Sequence, residues 1–221
     1  MAGIGFIGLG IMGAPMAGHI IAGGHALFAH ARRPLPQALV EKGAVACASG
    51  KEVAERSEVV ILMVPDTPHV EDVLFSDNGV AKGLTPGKIV IDMSSISPIA
   101  TKVFAKRIDD LGCQYVDAPV SGGEVGAKAA SLTIMVGAAE DTFAKVKPLL
   151  DLMGKNVTRV GGNGDGQTCK VANQIIVALP NTATAQELFN SCAAHGGAKW
   201  DHSAMVRALE IMANHEIGQH P

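Results

Sequence analysis

The chain has 221 residues, room for one large domain or one with a smaller companion, and 48% of them are hydrophobic while only 4% are aromatic. That balance suits an α/β protein built from Ala, Val, Ile, Leu and Gly and argues against an all-β sandwich. A net charge of −3 with one Trp and one Tyr offers neither a basic field nor rings for bases to stack on, which excludes nucleic acid as an expected partner.

The cysteines Cys47, Cys113, Cys169 and Cys192 are far apart and form no CxxC pair, as free thiols in a reducing compartment do. The histidines show no consistent ligand spacing, so no metal is expected. There is no basic leader, and no uncharged run reaches the ~18 residues of a membrane span. The expectation is a soluble cytoplasmic protein.

In chain order, the first stretch is Gly5-Phe6-Ile7-Gly8-Leu9-Gly10-Ile11-Met12-Gly13, an apolar run against closely spaced glycines, followed by a helical run from Pro15 to Ala22. Gly8 allows a tight turn, Gly10 lets the backbone come close to a diphosphate, and Gly13 lets the helix lie near the strand. The segment from Gly8 through Leu9, Gly10, Ile11 and Met12 to Gly13 is therefore the candidate phosphate cradle, with the helix amino terminus facing the anion. A second strand, His25 to His30, leads into Ala31-Arg32-Arg33. An acidic residue at this place would bind a ribose 2′-hydroxyl, whereas Arg32 and Arg33 suit a 2′-phosphate. The preferred cofactor is NADP, with NAD as the other possibility.

Helices are expected over Gln37–Lys42 and Lys51–Ser57, then a doubly buried strand over Val59–Val64 that stops at Pro65-Asp66-Thr67-Pro68. The two prolines predict a stiff loop at the carboxyl end of that strand. Lys88–Asp92 is the next strand, Met93 to Ser97 its loop, and Pro98 behind a Ser cap opens a helix to Leu111. Gln114–Ala118, Leu132–Val136 and Val157–Val160 are further strands, and Asp141–Met153 a helix that continues the alternation. Gly161 to Gly166 is the clearest boundary, flexible and turn-rich. Beyond it come a mostly apolar helix over Gln167–Leu179, a break at Pro180, a capping-box spacing at Thr184 and Glu187, and a final helix over Asp201–Asn214. The domains predicted are 1–162, a dinucleotide-binding α/β domain, and 163–221, a helical segment.

Lys170, Asn173 and Gln174 share a helix face by their spacing, and an ammonium beside an amide suits a proton donor with a positioning group. The competing reading is a solvated helix face, which the apolar surroundings of Lys170 weigh against. Ser121-Gly122-Gly123 offers a hydroxyl and successive bare N–H groups, an anion nest for a substrate carboxylate; the competing reading is a plain loop.

Taken together, the motif from Gly5 to Met16, Asp117-Ala118-Pro119-Val120-Ser121-Gly122-Gly123, and Gly164-Asp165-Gly166-Gln167-Thr168-Cys169-Lys170-Val171-Ala172-Asn173-Gln174 resemble the β-hydroxyacid dehydrogenase family. The resemblance implies a Rossmann-type doubly wound sheet followed by an all-α carboxyl-terminal domain, here shortened. It implies that Lys170 is the catalytic lysine, that Ser121, Gly122 and Gly123 hold the substrate carboxylate, and that Asn173 orients the substrate. Val64, Pro65 and Ser95 would line the cofactor. The activity implied is hydride transfer to the aldehyde of a small carboxylate-bearing substrate, and the assembly a homo-oligomer. The match breaks between Leu179 and Pro180, where most of the family's helical domain is absent. A dinucleotide-binding module with little or no turnover is therefore one alternative function, and a related 3-hydroxyisobutyrate-type dehydrogenase is the other.

Overall fold

The computed structural model describes residues 2–175 of the chain. Among these residues the centre is a nine-stranded sheet in the order β3-β2-β1-β4-β5-β6-β8-β7, with β9 paired to β8. The strands are β1 (Gly3–Ile7), β2 (Ala26–His30), β3 (Val45–Ala46), β4 (Val59–Leu62), β5 (Ile89–Asp92), β6 (Gln114–Asp117), β7 (Val120–Ser121), β8 (Leu132–Gly137) and β9 (Gly154–Gly161). Helices α1 (Gly13–Ala22), α2 (Gln37–Val40), α3 (Gly50–Arg56), α4 (Thr67–Phe75), α5 (Pro98–Asp109), α6 (Gly123–Lys128) and α7 (Glu140–Leu150) connect them. A further helix, α8, occupies 165–175.

The apolar runs fold as strands because alternate side chains feed two separate cores. Ile4 and Phe6 of β1, Ile61 of β4 and Ile89 and Ile91 of β5 enter one core with Met16 and Ile20 of α1 and Leu149 and Leu150 of α7. Ile7, Val60, Leu62 and Val90 enter the other with Val53 of α3, Leu74 of α4 and Phe104 of α5. A strand buried on both faces leaves no polar alternation, hence the unbroken apolar sequences.

Register matters more to function than the count of strands. His30, Ile7, Leu62, Asp92 and Asp117 form one row across five parallel strands, each the last residue of its strand. Every loop that leaves this row therefore opens on the carboxyl edge of the sheet, where open α/β folds bind ligands.

Three expectations need correction. The Pro65–Pro68 stretch does not form a loop only: Asp66 caps α4 by accepting the His69 N–H at 3.3 Å, and Pro68 sits in the first turn, where a missing N–H costs nothing. The alternation past β6 continues but changes sense, because β8 runs antiparallel to β6 and to β7 while β9 follows β8 in parallel. The glycine-rich stretch from Gly161 to Gly166 is anchored rather than loose. Asn163 donates to the Tyr115 carbonyl at 2.7 Å, the Gly162 N–H bonds the Asp165 carboxylate at 2.8 Å, and the Gly164 N–H bonds Asp117 at 2.8 Å.

By its internal contacts the chain divides between Val171 and Ala172, so the first unit runs past residue 162 and includes Lys170. The end of the predicted helix at Leu179, the break at Pro180, the Thr184 and Glu187 spacing and the Asp201–Asn214 helix lie outside the described residues. Among the described residues no helix is long and apolar enough to cross a membrane.

Asp92 gives the fold a measurable pH signature. It is fully buried, and that burial pushes its carboxyl up from 3.8 to about 6, against the pull of bonds from the Ser94 N–H at 3.0 Å and the Tyr115 hydroxyl at 2.8 Å. A carboxyl raised in the folded state favours the fold most below its unfolded value, and that contribution is lost as pH climbs toward about 6. The size is about 3 kcal/mol at ~1.4 kcal/mol per unit. Asp92→Asn, which stays neutral, is expected to gain on the wild type by up to about that amount between pH 4 and 7 in urea denaturation. Parallel stability curves would refute the buried-carboxyl account.

Candidate active site

The cradle is the turn between β1 and α1. Gly8 has φ of +99°, and a Cβ there would lie 2.1 Å from the Met63 carbonyl oxygen. A Cβ on Gly13 would lie 1.9 Å from the Gly8 carbonyl oxygen, so the helix can only sit this close to the strand without a side chain. Gly10 differs from both: a Cβ there would meet nothing within 4 Å. Packing within the protein thus demands glycine at Gly8 and Gly13 but leaves open space above Gly10. No side chain caps α1 and its first turn holds no acidic residue; the Ala14 N–H bonds the Gly10 carbonyl at 3.0 Å and Pro15 has no N–H, so what the helix start can offer an anion is the N–H groups ahead of Ala14. Ile11 is 66% exposed beside them, while Leu9 and Met12 pack partly against the core.

Arg32 and Arg33 follow His30 after the single residue Ala31 and are exposed, with no carboxylate partner among the described residues. Val64 and Pro65 follow the end of β4, Val64 half-buried and Pro65 exposed. Ser95 follows β5 and is exposed between the buried Ser94 and Ile96. Uncapped helix, open glycine and free arginines on one sheet edge fit a dinucleotide with a phosphorylated ribose.

Ser121 ends β7, and Gly122 and Gly123 carry φ of +128° and +58°, turning the chain into α6. Both glycines are exposed and Ser121 is half-buried, so the nest faces outward.

Lys170 lies one turn into α8 and is only 9% exposed. Burial pushes its amine below the ordinary lysine value, because a charge is harder to hold away from water. Asn173 follows on the same helix, half-buried, and donates to the Gln174 side chain at 3.3 Å.

The start of the helix that carries Lys170 is held by a buried network that sequence reasoning missed. Asp117, at the end of β6, accepts from the Gly164 N–H at 2.8 Å and the Gln167 N–H at 3.0 Å. Burial pushes the Asp117 carboxyl up, and these two backbone bonds work against that shift. The Gln167 side chain, 1% exposed, donates to the Ser94 carbonyl at 2.7 Å and accepts from the Ile96 N–H at 3.1 Å. Ser94 in turn accepts the Val64 N–H on its hydroxyl at 3.0 Å. The loops after β4 and β5 and the start of α8 are thereby one hydrogen-bonded body. Asp117 and Gln167 stood inside motifs read for other residues, and an acidic residue ending an apolar strand was the available signal.

Among the described residues no group of His, Cys, Asp and Glu could hold a metal ion.

Comparison with known proteins accords with this geometry. Residues 3–162 match the family described as the NAD binding domain of 6-phosphogluconate dehydrogenase. The chain is 44% identical to the 2-hydroxy-3-oxopropionate reductase of Escherichia coli K12, over 97% of this chain and 99% of that protein. That alignment spans 289 positions against the 221 residues here, so the relative carries a stretch this chain lacks. The chain is also 40% identical to the 2-(hydroxymethyl)glutarate dehydrogenase of Eubacterium barkeri, matching 84% of this chain but spanning only 62% of that one. Among solved structures, the 3-hydroxyisobutyrate dehydrogenase of Mycobacterium tuberculosis with L-serine superposes with a TM-score of 0.79 at 30% identity, over 95% of this chain and 70% of that one. The chain thus belongs to the β-hydroxyacid dehydrogenases, NAD(P)-dependent oxidoreductases, with residues 3–162 as its NAD-binding domain.

Proposed function

We propose that the chain reduces tartronate semialdehyde (2-hydroxy-3-oxopropanoate) to glycerate with NADPH. The observation that carries this reading is a nearly buried lysine on a helix bonded to the loops of the sheet's carboxyl edge. The name of the Escherichia coli relative, aligned over almost all of its length, supports the choice of substrate.

When bound, the nicotinamide supplies the hydride. Ser121, Gly122 and Gly123 receive the substrate carboxylate with a hydroxyl and backbone N–H groups, and Asn173 orients the rest of the molecule. Lys170 stabilises the negative charge that develops on the carbonyl oxygen and gives it a proton. Its lowered affinity for that proton makes the transfer easier near neutral pH. Assembly as a homo-oligomer belongs to the same proposal, and sedimentation showing a well-behaved monomer would remove it.

The test is a kinetic panel of small aldehyde acids, each with NADPH and NADH. Tartronate semialdehyde with NADPH is expected to give the highest kcat/KM, and a higher value for the aldehyde of 3-hydroxyisobutyrate would overturn the assignment. The stretch missing relative to the Escherichia coli protein favours one other reading, a dinucleotide-binding module with little turnover. Calorimetry showing tight NADPH binding, with no rate on any aldehyde acid, would select it.

Cofactor choice has its own test. Arg32 and Arg33 are exposed, so solvent weakens each phosphate contact, and the pair is expected to matter more than either alone. Changing both to serine should raise the KM for NADPH about tenfold or more and leave that for NADH nearly unchanged. An equal change for the two cofactors would show that these arginines do not read the 2′-phosphate.

A further inference from the structure

We propose that Gln167 is a positioning residue that sets where the Lys170 amine stands relative to the loops carrying Val64 and Ser95. The inference rests on the reading of Lys170 as proton donor. Three polar groups of Gln167 bond outward, and each goes to a different point: its N–H to Asp117 at the end of β6, its amide N–H to the Ser94 carbonyl, and its amide oxygen to the Ile96 N–H. Ser94 and Ile96 are buried on either side of the exposed Ser95, and the Ser94 hydroxyl holds the Val64 N–H. Lys170 is three residues further along the same helix, within one turn. Any rotation or slide of α8 at Gln167 is therefore passed to Lys170, and the bonds resist it with respect to both loops at once.

These bonds span more than seventy residues of sequence, Ile96 to Gln167 being 71 apart and Ser94 to Gln167 being 73 apart. Only a side chain with one donor and one acceptor in a fixed fork can serve both backbone groups. Its loss would leave a buried carbonyl and a buried N–H without partners, and the loop would move to recover them. A displacement of ~1 Å in the reacting geometry can lower a rate ~100-fold.

Two variants test this. Gln167→Met keeps the volume and removes both side-chain bonds. It is expected to lower kcat about 100-fold with much less effect on NADPH binding, and to move the pH profile of Lys170 methylation toward that of an ordinary lysine. Methylation is read by reductive labelling and mass spectrometry on the folded protein. Gln167→Glu reproduces the fork while protonated but cannot donate to the Ser94 carbonyl once ionised. Its kcat relative to wild type is expected to fall as pH rises through the titration of that acid, a response a merely structural role would not give.

A folded Gln167→Met with wild-type kcat and an unshifted Lys170 profile overturns the proposal. If that variant does not fold, a Gln167→Glu ratio that is flat with pH does so instead. Should the wild type turn over no aldehyde acid, the proposed function fails on its own, while the Lys170 labelling profile still decides whether Gln167 positions the amine.

Discussion

Lys170→Met is expected to lower kcat for tartronate semialdehyde about 100-fold or more, with NADPH binding close to that of the wild type. The side chain keeps its length and apolar stem, so the packing that leaves Lys170 only 9% exposed is largely retained while the proton and the charge are removed. Lys170→Arg separates the two roles, since a guanidinium holds charge near the oxygen but does not release a proton in this pH range. It should recover a minor part of the rate at most. The pH profile gives a further check with a definite sign. Reduction needs the protonated amine, and burial lowers the pH at which that proton is lost, so the wild-type rate should fall with rising pH at a midpoint below the ordinary lysine value of 10.5. In Lys170→Met that fall should disappear. Near-wild-type turnover in the methionine variant would remove Lys170 from the chemistry.

How much of this was legible beforehand depends on whether the information is local. The cradle from Gly8 to Gly13 was legible because strand, turn and helix follow one another and the steric demands arise within the same dozen residues or against the adjacent strand. The strands Val59–Leu62 and Ile89–Asp92 were legible because burial on both faces writes an apolar run into the sequence. Helix α4 was misread because prolines break a helix interior but are welcome in its first turn, and only the Asp66 cap distinguishes the cases. The firmness of the Gly161–Gly166 stretch was invisible for a different reason. Its partners, Tyr115 and Asp117, lie 48 and 47 residues away from Asn163 and Gly164, and glycine and asparagine look alike in a loose linker and in an anchored turn. The same holds for the candidate site: Lys170 was singled out from its spacing, but the network of Asp117, Gln167 and Ser94 that holds the start of its helix exists only once β5 and β6 lie side by side. Residues proposed to meet ligand were singled out by type and motif; the residues that position their helix and loops were not.

The three glycines of the cradle make the sharpest separation between folding and binding. Gly13→Ala would press a methyl group against the Gly8 carbonyl oxygen at 1.9 Å, and that oxygen is backbone, with no rotamer to turn away. Gly8→Ala adds a strained conformation, φ of +99°, to a contact of 2.1 Å with the Met63 carbonyl. Each is expected to cost about 3 kcal/mol or more and to lower the melting temperature by ~10 °C in a domain of this size. Gly10→Ala meets no protein atom within 4 Å and has no left-handed backbone to strain, so its melting temperature should stay within ~2 °C of wild type. If that open space is where a diphosphate approaches the backbone, the same methyl group must weaken NADPH binding, by about tenfold or more in calorimetry. Stability held with binding lost at Gly10, and stability lost at Gly8 and Gly13, is a pattern a plain glycine-rich turn would not produce. A Gly10→Ala protein that binds NADPH like the wild type would place the diphosphate elsewhere and take the cradle out of the cofactor site.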